Sequence, residues 1–382
     1  MASNFTCNEY VDRAVDFNDQ KVINKYLYTT SEQTVNQILY PTILASGIIS
    51  NSLFLVVCAF SSQMHTTTNF YLANLALADV TFLVVKLGEE IVQGYMSPIE
   101  NDSRYFGNVG CIIVQFCGWF YYVASILIVT VVTADRYYAI CRPISHQLGK
   151  SPRRTYTTAA VTWAVAFVVA FFSIPMFSDF KLYCAIWPED EKYYGYPDEF
   201  ALCLPAVWWA TFVFEVIFIL SVNICMTIIL IMCWKILRTL HTRTRGSEQS
   251  ALSQQRSLKV RNDVAFMLTV NAIVFFLCQF PIQVTVFVEM VLMFMECPSL
   301  CQNDIWNSWI WAVDIMLYIN SVVNPIIYNL TNPQCRKEYR RVLFTLCRRF
   351  SRIEESTNRG EQNGDEAANQ MPVPCVKIKG SS

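Results

Sequence analysis

The sequence predicts an all-α membrane protein: a seven-transmembrane helical bundle followed by a short amphipathic eighth helix. Three observations carry this expectation. Hydrophobic residues make up 54% of the 382 residues, and they collect into seven long, nearly charge-free runs instead of recurring every third or fourth position as in a soluble amphipathic helix. Each run supplies the roughly 20 apolar residues that a helix rising 1.5 Å per residue needs to cross about 30 Å of hydrocarbon. Lys and Arg gather after the third, fifth and seventh runs, the pattern of cytoplasmic loops. A soluble reading would require helices apolar on every face.

The first run, 38–60, has no formal charge. The second, 71–85, contains only Asp79 and has to continue past Lys86 to about residue 94 to span. Runs 112–134, 155–178 and 264–288 are uncharged, 201–234 contains only Glu215, and 305–334 only Asp314. Arg142, Lys150, Arg153 and Arg154 follow the third run, Lys235 to Arg261 supply seven basic residues after the fifth, and Arg336 to Arg349 six after the seventh. Glu189, Asp190, Glu191, Asp198 and Glu199 cluster on the opposite side. The N-terminus is therefore expected outside the cell, the C-terminus in the cytoplasm, and the chain in the plasma membrane.

This gives an extracellular tail over 1–37, a bundle over 38–332, a membrane-surface helix over 333–349 and a disordered tail over 350–382. The tail holds no apolar run, so the first helix is expected to act as an uncleaved insertion signal. Asn4 and Asn101 open outer glycosylation patterns. Cys347, at the end of the amphipathic stretch, is a candidate for palmitoylation beside membrane lipid.

Of 15 cysteines, many lie within apolar runs and serve as small hydrophobes. Cys7, Cys111, Cys184, Cys203, Cys297 and Cys301 fall on the oxidising side. Cys111, at the outer start of the third helix, can reach the loop holding Cys184 and Cys203, and Cys184 is the expected partner. Cys297 and Cys301 are expected to close a local ring, which leaves Cys7 for Cys203.

Ionisable groups within spans are functional candidates, because hydrocarbon penalises them unless they face the bundle or water. Asp79, with Ser125, Asn320, Ser321 and Asn324, could hold a sodium ion or form a water-filled polar network; the residues leave both open. Asp135 beside Arg136 and Tyr137 could hold the arginine as a switch, or Arg136 could simply snorkel to the interface. Pro281 and Pro325 each remove a helix hydrogen bond and are expected to kink their helices.

Asn51 in Ser50-Asn51-Ser52-Leu53, Asn74 through Asp79, Cys111, Asp135-Arg136-Tyr137, Trp163, Cys278 with Pro281, and Asn324-Pro325-Ile326-Ile327-Tyr328 stand in one order and spacing. Over about residues 38–349 the chain resembles the rhodopsin-like G-protein-coupled receptors. The resemblance implies a sodium and water site at Asp79, Ser125, Asn320 and Asn324, and a G-protein-contacting switch at Arg136. It also implies that Tyr328 swings inward on activation, that Pro143 and Ile144 form the second inner loop's contact, and that Trp163 is structural. A heterotrimeric G protein is the implied partner; arrestin and receptor kinase are candidates too. A monomer holds the whole path, and dimers are compatible with it. The chain departs from the family at Gln279, where many members have tryptophan, and in the fifth helix, which lacks the usual proline.

Tyr318 stands about where visual pigments carry their lysine, and Gly118 where amine receptors carry aspartate, which argues against light and monoamines. The outer half instead offers Lys86, Glu89, Glu90, Trp119, Tyr122, Gln283, Glu289, Trp311 and Asp314 alongside Gln279 and Tyr318. Aromatic walls and carboxylates suit a peptide end bearing an amine or guanidinium. Cys184-Ala185-Ile186-Trp187-Pro188-Glu189 resembles the corresponding loop of tachykinin-type neuropeptide receptors. A neuropeptide is the expected ligand, ahead of a lipid or small molecule and of constitutive operation. No filter or internal repeat supports a channel or transporter. Gly149-Lys150-Ser151 lacks the first glycine of a phosphate loop, and the histidines at 65, 146 and 241 form no metal spacing. Neither an enzyme, nor a cofactor beyond sodium, nor a nucleic-acid partner is expected, since topology accounts for the basic loops.

Overall fold

A computed structural model describes residues 13–149, 151–244, 252–295, 304–345 and 348. Among them are seven helices long and apolar enough to cross a membrane: Thr30–Phe60, Thr67–Met96, Gly107–Cys141, Pro152–Met176, Trp208–Thr242, Ala265–Leu292 and Ile305–Thr331. Successive helices pack side by side and the seventh returns to the first, while the third contacts the second, fourth, fifth and sixth. The third helix therefore runs through the middle of the bundle. Side chains such as Ile49, Phe172 and Leu220 point outward and exposed, as lipid-facing apolar residues do.

The helix ends follow local chemistry. Thr29 and Glu32 form a reciprocal capping box at the start of the first helix. Thr66 caps the second through the Asn69 amide, and Pro152 occupies the first turn of the fourth, where its missing N–H is harmless. Two helices contain single π-helical turns, Val35–Leu39 in the first and Leu83–Leu87 in the second. Pro281 and Pro325 both lie inside continuous helices. The main core gathers Phe54, Leu72, Leu75, Val129, Phe275 and Tyr328 around the central helix.

A small sheet sits at the end taken as outer from the charge pattern, an addition to the all-α expectation. It comprises β1 (Arg13–Asp16), β2 (Asp179–Ile186) and β3 (Glu199–Leu204) in that spatial order. β2 and β3 form an antiparallel hairpin, with Asp179 opposite Leu204, and β1 joins β2 in parallel, with Arg13 opposite Tyr183. A short helix, Gln20–Tyr26, follows β1 and is capped by Asp19. Phe17, Ile23, Ile99 and Phe200 form a separate apolar core above the bundle. Within it Phe17 stacks on Trp187 at 4.1 Å between ring centroids.

The hairpin also corrects the disulfide pairing. Cys111 bonds to Cys203, with Cα atoms 5.7 Å apart, and not to Cys184. The sheet order explains this. Cys184 lies on the central strand, between Ala14 and Glu199, whereas Cys203 lies on the edge strand β3. β3 is the strand stitched toward the start of the third helix, through Ser103 N–H to the Ala201 carbonyl at 2.7 Å. Cys203 being taken by Cys111, the expected Cys7–Cys203 bridge falls as well, and Cys184 is itself disulfide-bonded. Cys7, Cys297, Cys301, Asn4 and Cys347 lie outside the described residues.

A final helix over 333–345 buries Cys335, Glu338, Tyr339 and Val342 on one face and exposes its basic residues, the amphipathic eighth helix expected. Ser61 donates to the wholly buried Glu338 carboxylate at 2.7 Å. That bond ties the eighth helix to the turn after the first.

Candidate functional site

The site residues fall into three layers strung along the second, third, sixth and seventh helices. In the middle layer Asp79 is wholly buried. Ser125 of the third helix donates to Asp79 Oδ1 at 2.9 Å, and Asn324 of the seventh donates to Oδ2 at 2.6 Å. Ser321 and Asn320 are buried in the same helix, and Asn320 Oδ1 has no hydrogen-bond partner among the described residues. Asn51 reaches the Gly47 and Ser321 carbonyls at 3.0 Å. Trp163 donates to Asn74 at 2.9 Å, a contact consistent with its structural reading. Five helices are thus joined by polar side chains.

At the inner end Arg136 donates to Asp135 through Nη2, and through Nε at 3.1 Å. The same carboxylate accepts from Thr68 at 3.3 Å and lies 3.2 Å from His146 Nε2. Asp135 therefore gathers groups from the second helix, its own helix and the inner loop. His146 was not singled out from the sequence, because its role depends on a short helix, Pro143–Leu148, folding back toward Asp135. That helix leaves Ile144 75% exposed, available to a partner. Tyr137 lies beneath the Lys235 ammonium at 5.8 Å. Tyr328 is packed against Phe54, and its buried hydroxyl has no hydrogen-bond partner among the described residues.

In the outer layer Tyr122 donates to Gln279 at 2.7 Å. Gln279 and Gln283 are both buried, and Asn223 of the fifth helix approaches Gln283 at 3.5 Å. Trp119 sets its edge against Phe214 and Phe218. Lys86 pairs with Glu89 and reaches Gln115 at 3.0 Å, while Gln115 donates back to Glu89 at 2.9 Å. This closed triangle joins the second helix to the third. The Lys86 stem lies where a Cβ on Gly118 would intrude, so the glycine seats the lysine. Glu90, Glu289 and Asp314 are partly buried, and Trp311 and Tyr318 both contact the Tyr40 ring.

Residues 50–328 match the family described as the 7 transmembrane receptor (rhodopsin family). The chain belongs to that family. Relatives include the neuromedin-U receptor 2 of Mus musculus, 28% identical over 81% of this chain and 75% of that one. The galanin receptor 2a of Danio rerio is 27% identical over 81% and 78%. The thyrotropin-releasing hormone receptor of Gallus gallus is 27% identical over 82% and 80%. The protein is thus a receptor and not an enzyme.

In this receptor, two features that the sequence suggested find packing explanations. Trp187, at the end of the hairpin strand β2, is stacked between Phe17 and Tyr193 and donates its Nε1 proton to the Pro197 carbonyl at 2.9 Å. Gln279, in place of a tryptophan, is held by Tyr122. Asn101 is exposed in a left-handed turn, while Ser103 two residues on is buried.

Proposed function

We propose that the protein sits in the plasma membrane with its N-terminus outside, binds an extracellular peptide, and on binding activates a heterotrimeric G protein at its inner face. One observation carries this reading. Partly buried carboxylates of the outer layer, Glu90 and Asp314, have no ion-pair partner among the described residues, in surroundings walled by aromatic rings. Unpaired charge at such a place suits a ligand that brings the counter-charge. The relatives named for neuromedin U, galanin and thyrotropin-releasing hormone are receptors of peptides and point the same way. A neuropeptide, of tachykinin type or another, is the finer reading.

Coupling to the inner face would run through two arrangements of the bundle, biased at one end by ligand and at the other by the G protein. Arg136, released from Asp135, and exposed Ile144 are the contacts offered to the partner. Receptor kinase and arrestin would use the same face. Sodium fits the middle layer: Asp79, Ser125, Ser321 and the unpartnered Asn320 Oδ1 are oxygen donors suited to a hard cation. Bound there, the ion would supply positive charge that holds the second, third and seventh helices together.

The test is G-protein activation in cells displaying the receptor, against a neuropeptide library, with Arg136→Ala as control and surface display measured for both. A saturable response to one peptide, lost in the control, is the expected result. Peptide silence with every G-protein class supplied, or full signalling without any peptide, would overturn the reading.

A further inference from the structure

We propose that Tyr194, at the tip of the second outer loop, is a tyrosine-sulfation site, its phenol taking a sulfate ester in the secretory pathway before the receptor reaches the surface. This rests on the orientation proposed above, which puts the loop on the luminal side, and on nothing about the ligand.

Three tyrosines share one acidic stretch, which reads Glu189-Asp190-Glu191-Lys192-Tyr193-Tyr194-Gly195-Tyr196-Pro197-Asp198-Glu199. Their order in the chain does not separate them, but their packing does. Tyr193 is 9% exposed and stacks on Trp187, with ring planes 15° from parallel. Tyr196 sets its edge against the same Trp187 ring at 5.2 Å and against Tyr193 at 5.6 Å. Both rings are committed to the apolar core of the cap. Tyr194 is 77% exposed, and its phenol makes no hydrogen bond to another described residue.

The backbone accounts for the difference. The Tyr196 N–H donates to the Tyr193 carbonyl at 3.1 Å, Tyr194 has φ −64° and ψ 126°, and Gly195 has φ +88°. These are the features of a type II turn, whose third position favours glycine because an L side chain is strained there. Tyr194 occupies the corner ahead of that glycine. Its ring can enter an enzyme cleft while the stacked Tyr193, Trp187 and Tyr196 stay in place.

The flanks have the charge that such an enzyme needs. Glu189, Asp190, Glu191 and Asp198 are exposed around the turn. A sulfotransferase binds an anionic donor and so presents a basic cleft, which acidic flanks complement. The one basic residue of the stretch, Lys192, has its ammonium over the Tyr193 ring, 5.4 Å from the centroid. In the reaction the Tyr194 phenol oxygen attacks the sulfur of an activated sulfate, a mixed anhydride of sulfate with a nucleotide phosphate. The new O–S bond forms as the S–O bond to phosphate breaks; the nucleotide phosphate leaves with the electron pair, and the phenolic proton passes to a base of the enzyme. The ester fixes a further negative charge at the loop tip, where it strengthens a field that draws in cationic ligands and that salt screens.

The test uses the full-length receptor with an N-terminal tag, expressed in animal cells fed radiolabelled sulfate. The proteolytic fragment containing residues 193–196 is isolated and hydrolysed in alkali, which distinguishes tyrosine sulfate from sulfated sugar. Labelled tyrosine sulfate is the expected product, lost to background in Tyr194→Phe and retained in Tyr193→Phe and Tyr196→Phe. Surface display of each variant is read from the tag on intact cells; Tyr194→Phe removes only an exposed hydroxyl and should be displayed as the parent is. An unlabelled fragment from receptor whose tag is reached on intact cells would overturn the sulfation alone, as would label that survives Tyr194→Phe. A tag reached only after permeabilisation would remove the orientation, and the sulfation with it.

Discussion

At the scale of single residues, the middle and inner layers were the most legible. Asp79, Asn324, Asp135 and Arg136 announce themselves because a charge or amide inside an apolar run has few reasons to be there. Where each sits follows from helical spacing alone. His146 and Gly118 were illegible as partners, since one depends on a loop folding back and the other on which stem lies over it. Tyr328 offers a sharp test. Its hydroxyl is buried with no partner among the described residues, so Tyr328→Phe should leave the thermal stability of the resting receptor within about 1 kcal/mol. If the hydroxyl finds its partner only after activation, the same variant should lower ligand-driven G-protein turnover several-fold. Glu100 supplies a pH test outside the membrane. Burial, with smaller contributions from Glu32 and Asp314, pushes its carboxyl up to about 7. The folded form then holds the proton more tightly than the unfolded chain does. Stability of this outer corner is accordingly greatest below the ordinary carboxylate range and falls as pH rises through about 7. Hydrogen exchange at Tyr26 and neighbouring amides, slow at pH 5.5 and faster at pH 8 after correction for intrinsic rates, checks this, and Glu100→Gln should abolish the difference.

At the scale of elements, the seven helices were readable because length and polarity are local properties of the chain. The sheet was not. β1 is four residues long, and its partner lies far away in sequence, so no periodicity marks it. The disulfide was misassigned for the same reason: sequence gives the cysteines, while only the hairpin register decides which strand faces Cys111. Peptide mapping under non-reducing conditions should recover Cys111 joined to Cys203. The cap built on that sheet is held chiefly by Phe17, wholly buried against Trp187, Tyr26 and Phe200. Phe17→Ala should cost the cap about 3–5 kcal/mol. Fast hydrogen exchange should then spread over residues 13–28, while the membrane helices, whose cores are separate, keep their protection.

For the whole molecule, the layers form one path. The Lys86–Glu89–Gln115 triangle and the Asp79 cluster both join the second helix to the third, and the second adds the seventh. With sodium in the middle layer, the purified receptor should melt at a higher temperature in sodium chloride than in choline chloride. Asp79→Asn, which removes the charge while keeping the size, should abolish that difference; an unchanged sodium effect would place the ion elsewhere.

The parallel pairing of β1 with β2 constrains the order of biosynthesis. Arg13 meets Tyr183, which leaves the ribosome only after four membrane helices have been made. With the N-terminus outside, as proposed, the first strand to be synthesised waits unpaired until the second outer loop is translocated beside it. Completion of the cap is thus a late event in maturation, and a substitution such as Phe17→Ala should delay export from the endoplasmic reticulum even where the helices have inserted correctly.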